Sequence, residues 1–284
     1  MKVSLDCYPC FLRQAVIAAR LATDDPALHE KVIKSVLPDI ERADPDKSPA
    51  HATTFIHRTI RKVLGKDPFK ENKSHYNQMA LSLYPELKKK VGASADPLLT
   101  AARLAIAGNI IDFGIFTSVD IEATVEKALN GPIHTDDHVL FAKAVMEEKT
   151  PRILYLADNA GEIVFDRLLI EILASMGKKV TLVVKGGPVL NDVTIEDANQ
   201  CGISGACEII DNGSDCIGTI LEMTSENFNR HWAEAGLVIS KGQGNFETLM
   251  HEKGKTIFFL FQSKCEVVCR ELGVPLKAMM LKKN

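Results

Sequence analysis

The chain has 284 residues, 46% of them hydrophobic and 25% charged, a globular balance that excludes extended disorder and a membrane-embedded protein. Its 34 basic and 37 acidic residues leave a formal net charge of -3, without the basic field that nucleic-acid binding requires. Asp6 interrupts the place where a secretory apolar region would begin, and no run reaches the ~18 apolar residues of a membrane span, so a cytoplasmic protein is expected.

From the start to about residue 150 the apolar spacing is helical. Residues 10–22, 28–40, 52–64, 76–91 and 98–111 predict helices, the first preceded by Pro9, which suits a first helical turn. Each break between them holds an Asp-Pro pair: Asp25-Pro26, Asp44-Pro45, Asp67-Pro68 and Asp96-Pro97. Such turns stop one helix before the next begins. Residues 118–130, capped by Ser118 or Asp120, and 135–149, capped by Thr135 or Asp136, continue the helical pattern.

After Pro151 the pattern changes. Strands are predicted at 152–157, 179–184, 207–210, 237–240 and 256–261, alternating with helices from Glu162 to Met176, from about Val193, around 217–223 and from about Asn245. Alternation with continuously apolar strands predicts a mostly parallel, Rossmann-like sheet covered on both faces, a three-layer α/β/α domain over 151–284. An all-helical domain over 1–150 precedes it and is a candidate substrate lid.

The segments at the carboxyl ends of the strands carry the chemistry. Asp158-Asn159-Ala160-Gly161-Glu162 comes after the first, Lys185-Gly186-Gly187 and then Asn191-Asp192-Val193-Thr194 after the second, and Lys241-Gly242-Gln243-Gly244-Asn245 after the fourth. Parallel strands put all of these on one edge of the sheet, where open α/β sheets bind ligands. Oxygen ligands from Asp158, Asn159 and Asp192 suit a hard or borderline divalent cation, and the lack of an accompanying His argues against zinc. Lys241, before a glycine-rich helix start at Gly242 and Gly244, has the composition of an anion site. Metal on one side and a phosphate anchor on the other is a phosphoryl-transfer arrangement.

The ordinary alternative is that Asp158 and Asp192 are helix caps or turn residues and that Gly-Gln-Gly is a plain turn. Other chemistries lack their fingerprints: there is no dinucleotide Gly-x-Gly-x-x-Gly after the first strand, no phosphate-loop motif and no Gly-x-Ser-x-Gly elbow. Asp158 is succeeded by Asn159-Ala160 rather than by a second acid, so it reads as a ligand, not as an aspartyl nucleophile.

Asp-Asn-Ala-Gly-Glu, Asn-Asp-Val-Thr and Ser-Lys-Gly-Gln-Gly-Asn, behind an N-terminal Cys-Tyr-Pro-Cys, together resemble the metal-dependent damage-control phosphatases, in particular the prokaryotic branch with an N-terminal Cys-x-x-Cys. The resemblance spans Cys7 to about Cys265. It implies a helical region on an α/β/α domain, a divalent metal (Mn²⁺, Co²⁺, Ni²⁺ or Mg²⁺), and hydrolysis of phosphate esters of small metabolites, sugar phosphates or damaged phosphometabolites. By motif, Asp158, Asn159 and Asp192 match metal ligands and Lys241 matches the lysine that approaches the substrate phosphate. Glu162, Lys185 and Asn245 lie in matching motifs, with Glu162 or Asp166 a candidate to orient water. A carboxyl methyltransferase, described for one eukaryotic branch, is the remote alternative, and a non-catalytic phosphometabolite-binding module is the other.

Seven cysteines favour reduced thiols, metal ligands or core packing over a disulfide framework. Cys7 and Cys10 have the spacing of half a metal or redox site, and Cys265 and Cys269 that of one helix face, with free thiols at a helix start as the plain reading. His51, His57 and Arg58 around one helix start, and Asn109 and Asp112 beyond another, read as ordinary helical residues; the resemblance sets the first group across from the site.

Overall fold

The computed structural model describes residues 1–110, 121–148 and 150–284, excluding the side chains of 109, 110 and 121–124. Among the described residues, the first helices are α1 (Cys7–Ala22), α2 (Pro26–Glu41), α3 (Pro49–Leu64), α4 (Lys70–Gly92), α5 (Pro97–Ile110) and α6 (Ile121–Asn130). Each Asp-Pro break works by the same local chemistry. The Asp side chain accepts a backbone N–H two or three residues on, Ala27 for Asp25, Asp46 for Asp44, Phe69 for Asp67 and Leu99 for Asp96, at distances of 2.9 Å. The expected caps Ser118 and Asp120 lie outside the described residues.

The sheet strands are β1 (Ile133–Asp136), β2 (Arg152–Leu156), β3 (Lys179–Val184), β4 (Glu208–Asp211), β5 (Leu237–Lys241), β6 (Ile257–Gln262) and β7 (Met279–Lys283). The later helices are α7 (His138–Met146), α8 (Glu162–Ser175), α9 (Ile195–Gln200), α10 (Glu226–Glu234), α11 (Gln243–Leu249) and α12 (Glu266–Leu272). Strand order is β1-β7-β6-β5-β2-β3-β4, parallel throughout except for β6 against β7. The chain runs outward from β2 through β3 to β4, then returns to the other side of β2 as β5. The point where the order reverses therefore lies between the carboxyl ends of β2 and β5, the place where such sheets bind ligands.

Three sequence expectations change here. Residues 133–136 form an edge strand paired with β7 rather than a helix start, because their alternating half-buried and exposed side chains give a period of two over only four residues. Residues 279–283, with Met279, Met280 and Leu281 buried, enter the sheet as β7 between β1 and β6. The helix expected around 217–223 is an irregular segment with one tight turn at Leu221–Met223, and the helix comes after it as α10, capped by Ser225. Gly218 accounts for the irregularity: its φ is +67°, and a Cβ there would come within 2.3 Å of the Gly244 carbonyl oxygen.

Alternation along the strands makes two cores. Ile153, Tyr155, Leu182, Leu237, Ile239 and Phe258 face the layer made by α4 to α9. Leu154, Leu156, Val183, Val238 and Phe259 face the layer containing α10, α11 and α12. The helices of the first half thus divide: α4 and α5 pack on α8 as part of the sandwich, whereas α1, α2 and α3 enclose a third core around Phe11, Ala15, Val32, Val36, Ile56 and Ile60. No helix among the described residues is long and apolar enough to cross a membrane.

Ile56 is completely buried in that third core. Ile56→Ala is expected to cost about 2–5 kcal/mol locally. Hydrogen exchange should show the loss of protection in α1 to α3 while β2 and β5 keep theirs; uniform loss across the sheet would contradict a separate core.

Candidate active site

The turn after β2 and the loop after β3 are laced together by their backbones. Val193 N–H donates to the Asp158 carbonyl at 2.9 Å, Ala160 N–H to the Asn191 carbonyl at 2.9 Å, and Lys185 N–H to the Val193 carbonyl at 2.8 Å. Asn159 and Asp192 form an antiparallel bridge. This brings the side chains of Asp158, Asn159 and Asp192 to one cavity of about 640 Å³, whose opposite wall comes from α1 and α3 through Cys10, Gln14, Ala50 and Thr53. Asn159 Nδ2 donates to Asp158 Oδ2 at 2.8 Å and lies 3.4 Å from Glu162 Oε2, leaving Oδ1 as the amide's acceptor. Gly242, with φ at +81°, lets β5 approach: a Cβ there would sit 2.0 Å from Asp158 Oδ2.

The electrostatics are unbalanced. Among the described residues, Asp158, Glu162, Asp166 and Asp192 have Lys185 and Lys241 as their paired lysines, with buried Lys73 and exposed Lys264 acting on Asp192 and Asp158 from further off. Burial, then Glu162 and Asp192, raise the Asp158 carboxyl well above the usual range. Burial raises Asp192 as well, against Lys185, whose Nζ lies 3.4 Å from Asp192 Oδ2 and also donates to the Gly218 carbonyl. Carboxylates that raise one another in a partly dry site have the field that a divalent cation would relieve.

Lys241 does not face the cavity. The strand β5 runs one residue further than expected, and alternation puts Lys241 on the same face as Leu237 and Ile239, toward α8. There it is fully buried and donates to Glu162 Oε1, to Asp166 Oδ1 at 2.6 Å and to the Ala105 carbonyl at 2.8 Å. An ammonium has three N–H groups, and all are used. Although burial pulls it down, Asp166 and Glu162 hold its pKa above the ordinary lysine value. The expected approach of Lys241 to a substrate phosphate is therefore corrected: this lysine is a buried counter-charge.

The chain matches the family described as Damage-control phosphatase ARMT1-like domain over residues 3–280. It belongs to that family. A damage-control phosphatase of Pyrococcus horikoshii is 34% identical over 100% of this chain and 99% of its own, and one of Archaeoglobus fulgidus is 34% identical over 99% of each. A protein of Methanocaldococcus jannaschii described as uncharacterised is 36% identical over 100% of this chain and 96% of its own. The crystal structure of a DUF89 family protein from Pyrococcus horikoshii superposes with a TM-score of 0.93 at 34% identity, covering 100% of this chain and 99% of that one.

Within this damage-control phosphatase fold the other expected residues take varied places. Asn245 is a buried brace: Nδ2 donates to the Ala157 and Lys241 carbonyls at 3.2 and 2.8 Å, and Oδ1 accepts from Thr219 at 2.7 Å, so both polar atoms are engaged inside the fold. Glu162 is also buried, committed to Lys241. Gly244 lines the cavity. His57 is buried behind Gln14, 3.2 Å from its Oε1, and burial lowers its pKa to about 3. Arg58 and Arg61 clamp Asp215, fixing α3 to the loop after β4, while His51 is half-buried. Asp112 and the side chain of Asn109 lie outside the described residues.

Cys7, Cys10 and Cys265 all line the cavity, and Cys269 is buried in α12. Every cysteine is free, and among the described residues no group of three His, Cys, Asp or Glu is arranged to hold a metal. Three cavity residues carry no motif in the sequence. Lys264 lies just beyond β6 and is among the charges lowering Asp158; Glu247 sits one turn past the Gly-Gln-Gly-Asn motif; Gln14 sits one turn past Cys10. Lys264 was findable, since it lies after a predicted strand at the same sheet edge.

Lys241→Met would leave Glu162 and Asp166 buried without their cation, and should lower the unfolding free energy by about 3–5 kcal/mol in urea titration. A loss under about 1 kcal/mol, the value of an exposed pair, would contradict this role.

Proposed function

We propose that the protein is a metal-dependent phosphatase that hydrolyses phosphate esters of small metabolites, sugar phosphates or damaged phosphometabolites. The observation that carries this reading is the convergence of Asp158, Asn159 and Asp192 on one cavity in a chain of the damage-control phosphatase family. The donors fit a divalent cation: two carboxylate side chains and an amide oxygen, in a pocket with more acids than lysines. Asp158, Asn159 and Asp192 would hold Mg²⁺, Mn²⁺, Co²⁺ or Ni²⁺. Such a cation supplies a Lewis acid for a phosphoryl oxygen and lowers the pKa of water.

The chain's own residues do the rest. Lys185 holds Asp192 in place at 3.4 Å, and the Glu162–Lys241 pair fixes the neighbourhood of the Asn159 amide. Lys264, exposed on the cavity rim with its backbone N–H held by Gln243 Oε1 at 2.9 Å, takes over the phosphate-facing part expected of Lys241. A cation there offsets charge on the phosphoryl oxygens without being buried beforehand. A cavity of about 640 Å³ suits a single metabolite rather than a polymer.

Purified protein should release phosphate from hexose phosphates, lose the activity with chelator and regain it when Mn²⁺, Co²⁺, Ni²⁺ or Mg²⁺ is restored. Asp192→Ala should lower kcat/KM by about 100-fold or more. Chelator-resistant turnover, or an Asp192→Ala variant at full rate, would sink the reading; tight metabolite binding without phosphate release would favour the non-catalytic module.

The rim is open to a separate measurement. Lys264→Ala should raise KM for a phosphate ester by about tenfold, the loss of one charge-assisted hydrogen bond, with the melting temperature unchanged. Equal KM values would remove Lys264 from the site.

A further inference from the structure

One buried acid on the cavity wall belongs neither to the metal donors nor to the lysine pairs that support them. Glu247, on α11, is only 8% exposed and lines the same cavity as Asp158 and Asp192. Its Oε1 accepts from Gln243 Nε2 at 2.9 Å, and its carboxyl also accepts the Ala50 backbone N–H from the start of α3. No lysine or arginine pairs with it among the described residues. The Met1 amino group donates to its main-chain carbonyl, and among the described residues that group, Gln243 and Cys265 act on the carboxyl, with Asp158, Lys264, Glu266 and Arg270 elsewhere on the same cavity wall.

Position gives this acid a task. Asp158, Asn159, Asp192, Gln243, Gly244 and Glu247 line one cavity, so the start of α11 carries Glu247 into the wall of the space that the strand-end acids border. A phosphate ester held at Asp158, Asn159 and Asp192 would occupy the cavity that Glu247 also lines, within which its ester oxygen has this acid as a proton source.

We propose that Glu247 is the general acid of the hydrolysis, donating its carboxyl proton to the leaving ester oxygen of an alkyl phosphate. The inference rests on the phosphatase reading of the same site. The water oxygen forms its bond to phosphorus while the bond from phosphorus to the ester oxygen breaks. That bond's electron pair goes to the ester oxygen, which takes the Glu247 proton and leaves as an alcohol. The attacking water loses one proton to solvent, and Glu247 regains one from solvent, so each turnover consumes one water. Burial, opposed by the Gln243 and Ala50 hydrogen bonds, raises the Glu247 carboxyl to about 7, where an acid retains its proton near neutrality and still gives it up readily.

The leaving group provides the test. A hexose phosphate needs its departing alkoxide protonated, whereas 4-nitrophenyl phosphate releases a stable phenolate. In Glu247→Gln the ratio of kcat/KM for the aryl over the alkyl ester should rise by about 100-fold or more. In the unaltered, metal-loaded protein kcat/KM for the hexose phosphate should fall as the pH rises through about 7, with no matching fall for the aryl ester; this arm needs no variant. An unchanged ratio, or coincident pH profiles for the two esters, overturns the proposal. A wild-type protein that hydrolyses neither ester with any of the four metals overturns the phosphatase reading itself.

Discussion

The structure depends on a cation buried between two acids. Lys241 has no solvent exposure and joins β5 to α8 through Glu162 and Asp166 and to α5 through the Ala105 carbonyl. Tyr155 on β2 adds a hydrogen bond to Asp166 at 2.8 Å. Two strands at the reversal point of the sheet and the two helices above them are thereby tied at one point. An ammonium placed there without partners would cost several kcal/mol, so the acids, the carbonyl and the lysine stand or fall together. The same knot fixes Glu162, which in turn lies near the Asn159 amide.

Above that knot the excess of acids over lysines defines the site. Lys241 neutralises one of its two acids, Lys185 steadies Asp192, and Asp158 remains with its pKa driven up by burial and by its neighbours. Gly242 leaves no room for a side chain beside that carboxylate. The backbone lacing between residues 158–160 and 191–193 means that Asp158, Asn159 and Asp192 are placed by main-chain hydrogen bonds. Side chains set on a laced backbone are held in place before any ligand arrives.

Much of this was legible in the sequence, for physical reasons that differ by element. Each Asp-Pro break is local chemistry, and each was realised as an Asp side chain accepting a nearby N–H. The central strands β2, β3, β5 and β6 are largely apolar because both faces are covered, and the edge strand β4 was readable from its apolar pair Ile209-Ile210. The edge strand β1 and its neighbour β7 were not: one is four residues long and the other ends in lysines. Asp158, Asn159 and Asp192 could be brought together by reasoning about strand ends alone. Lys241 could not be placed that way, because a strand longer by one residue turns an edge position into a face position. Glu247 carried no signal beyond a helical offset from the glycine motif, since its burial depends on Ala50, nearly two hundred residues away in the chain.

The cavity has two walls that answer to different cores. Oxygen donors project from the sheet edge, while Cys10, Gln14 and Thr53 project from α1 and α3, whose packing centres on Phe11, Ile56 and Ile60. Residues of the second wall are therefore open to drift without disturbing the first. A lineage of such proteins is free to change which metabolite it accepts, through exchanges on two helices, while inheriting its reactive machinery intact.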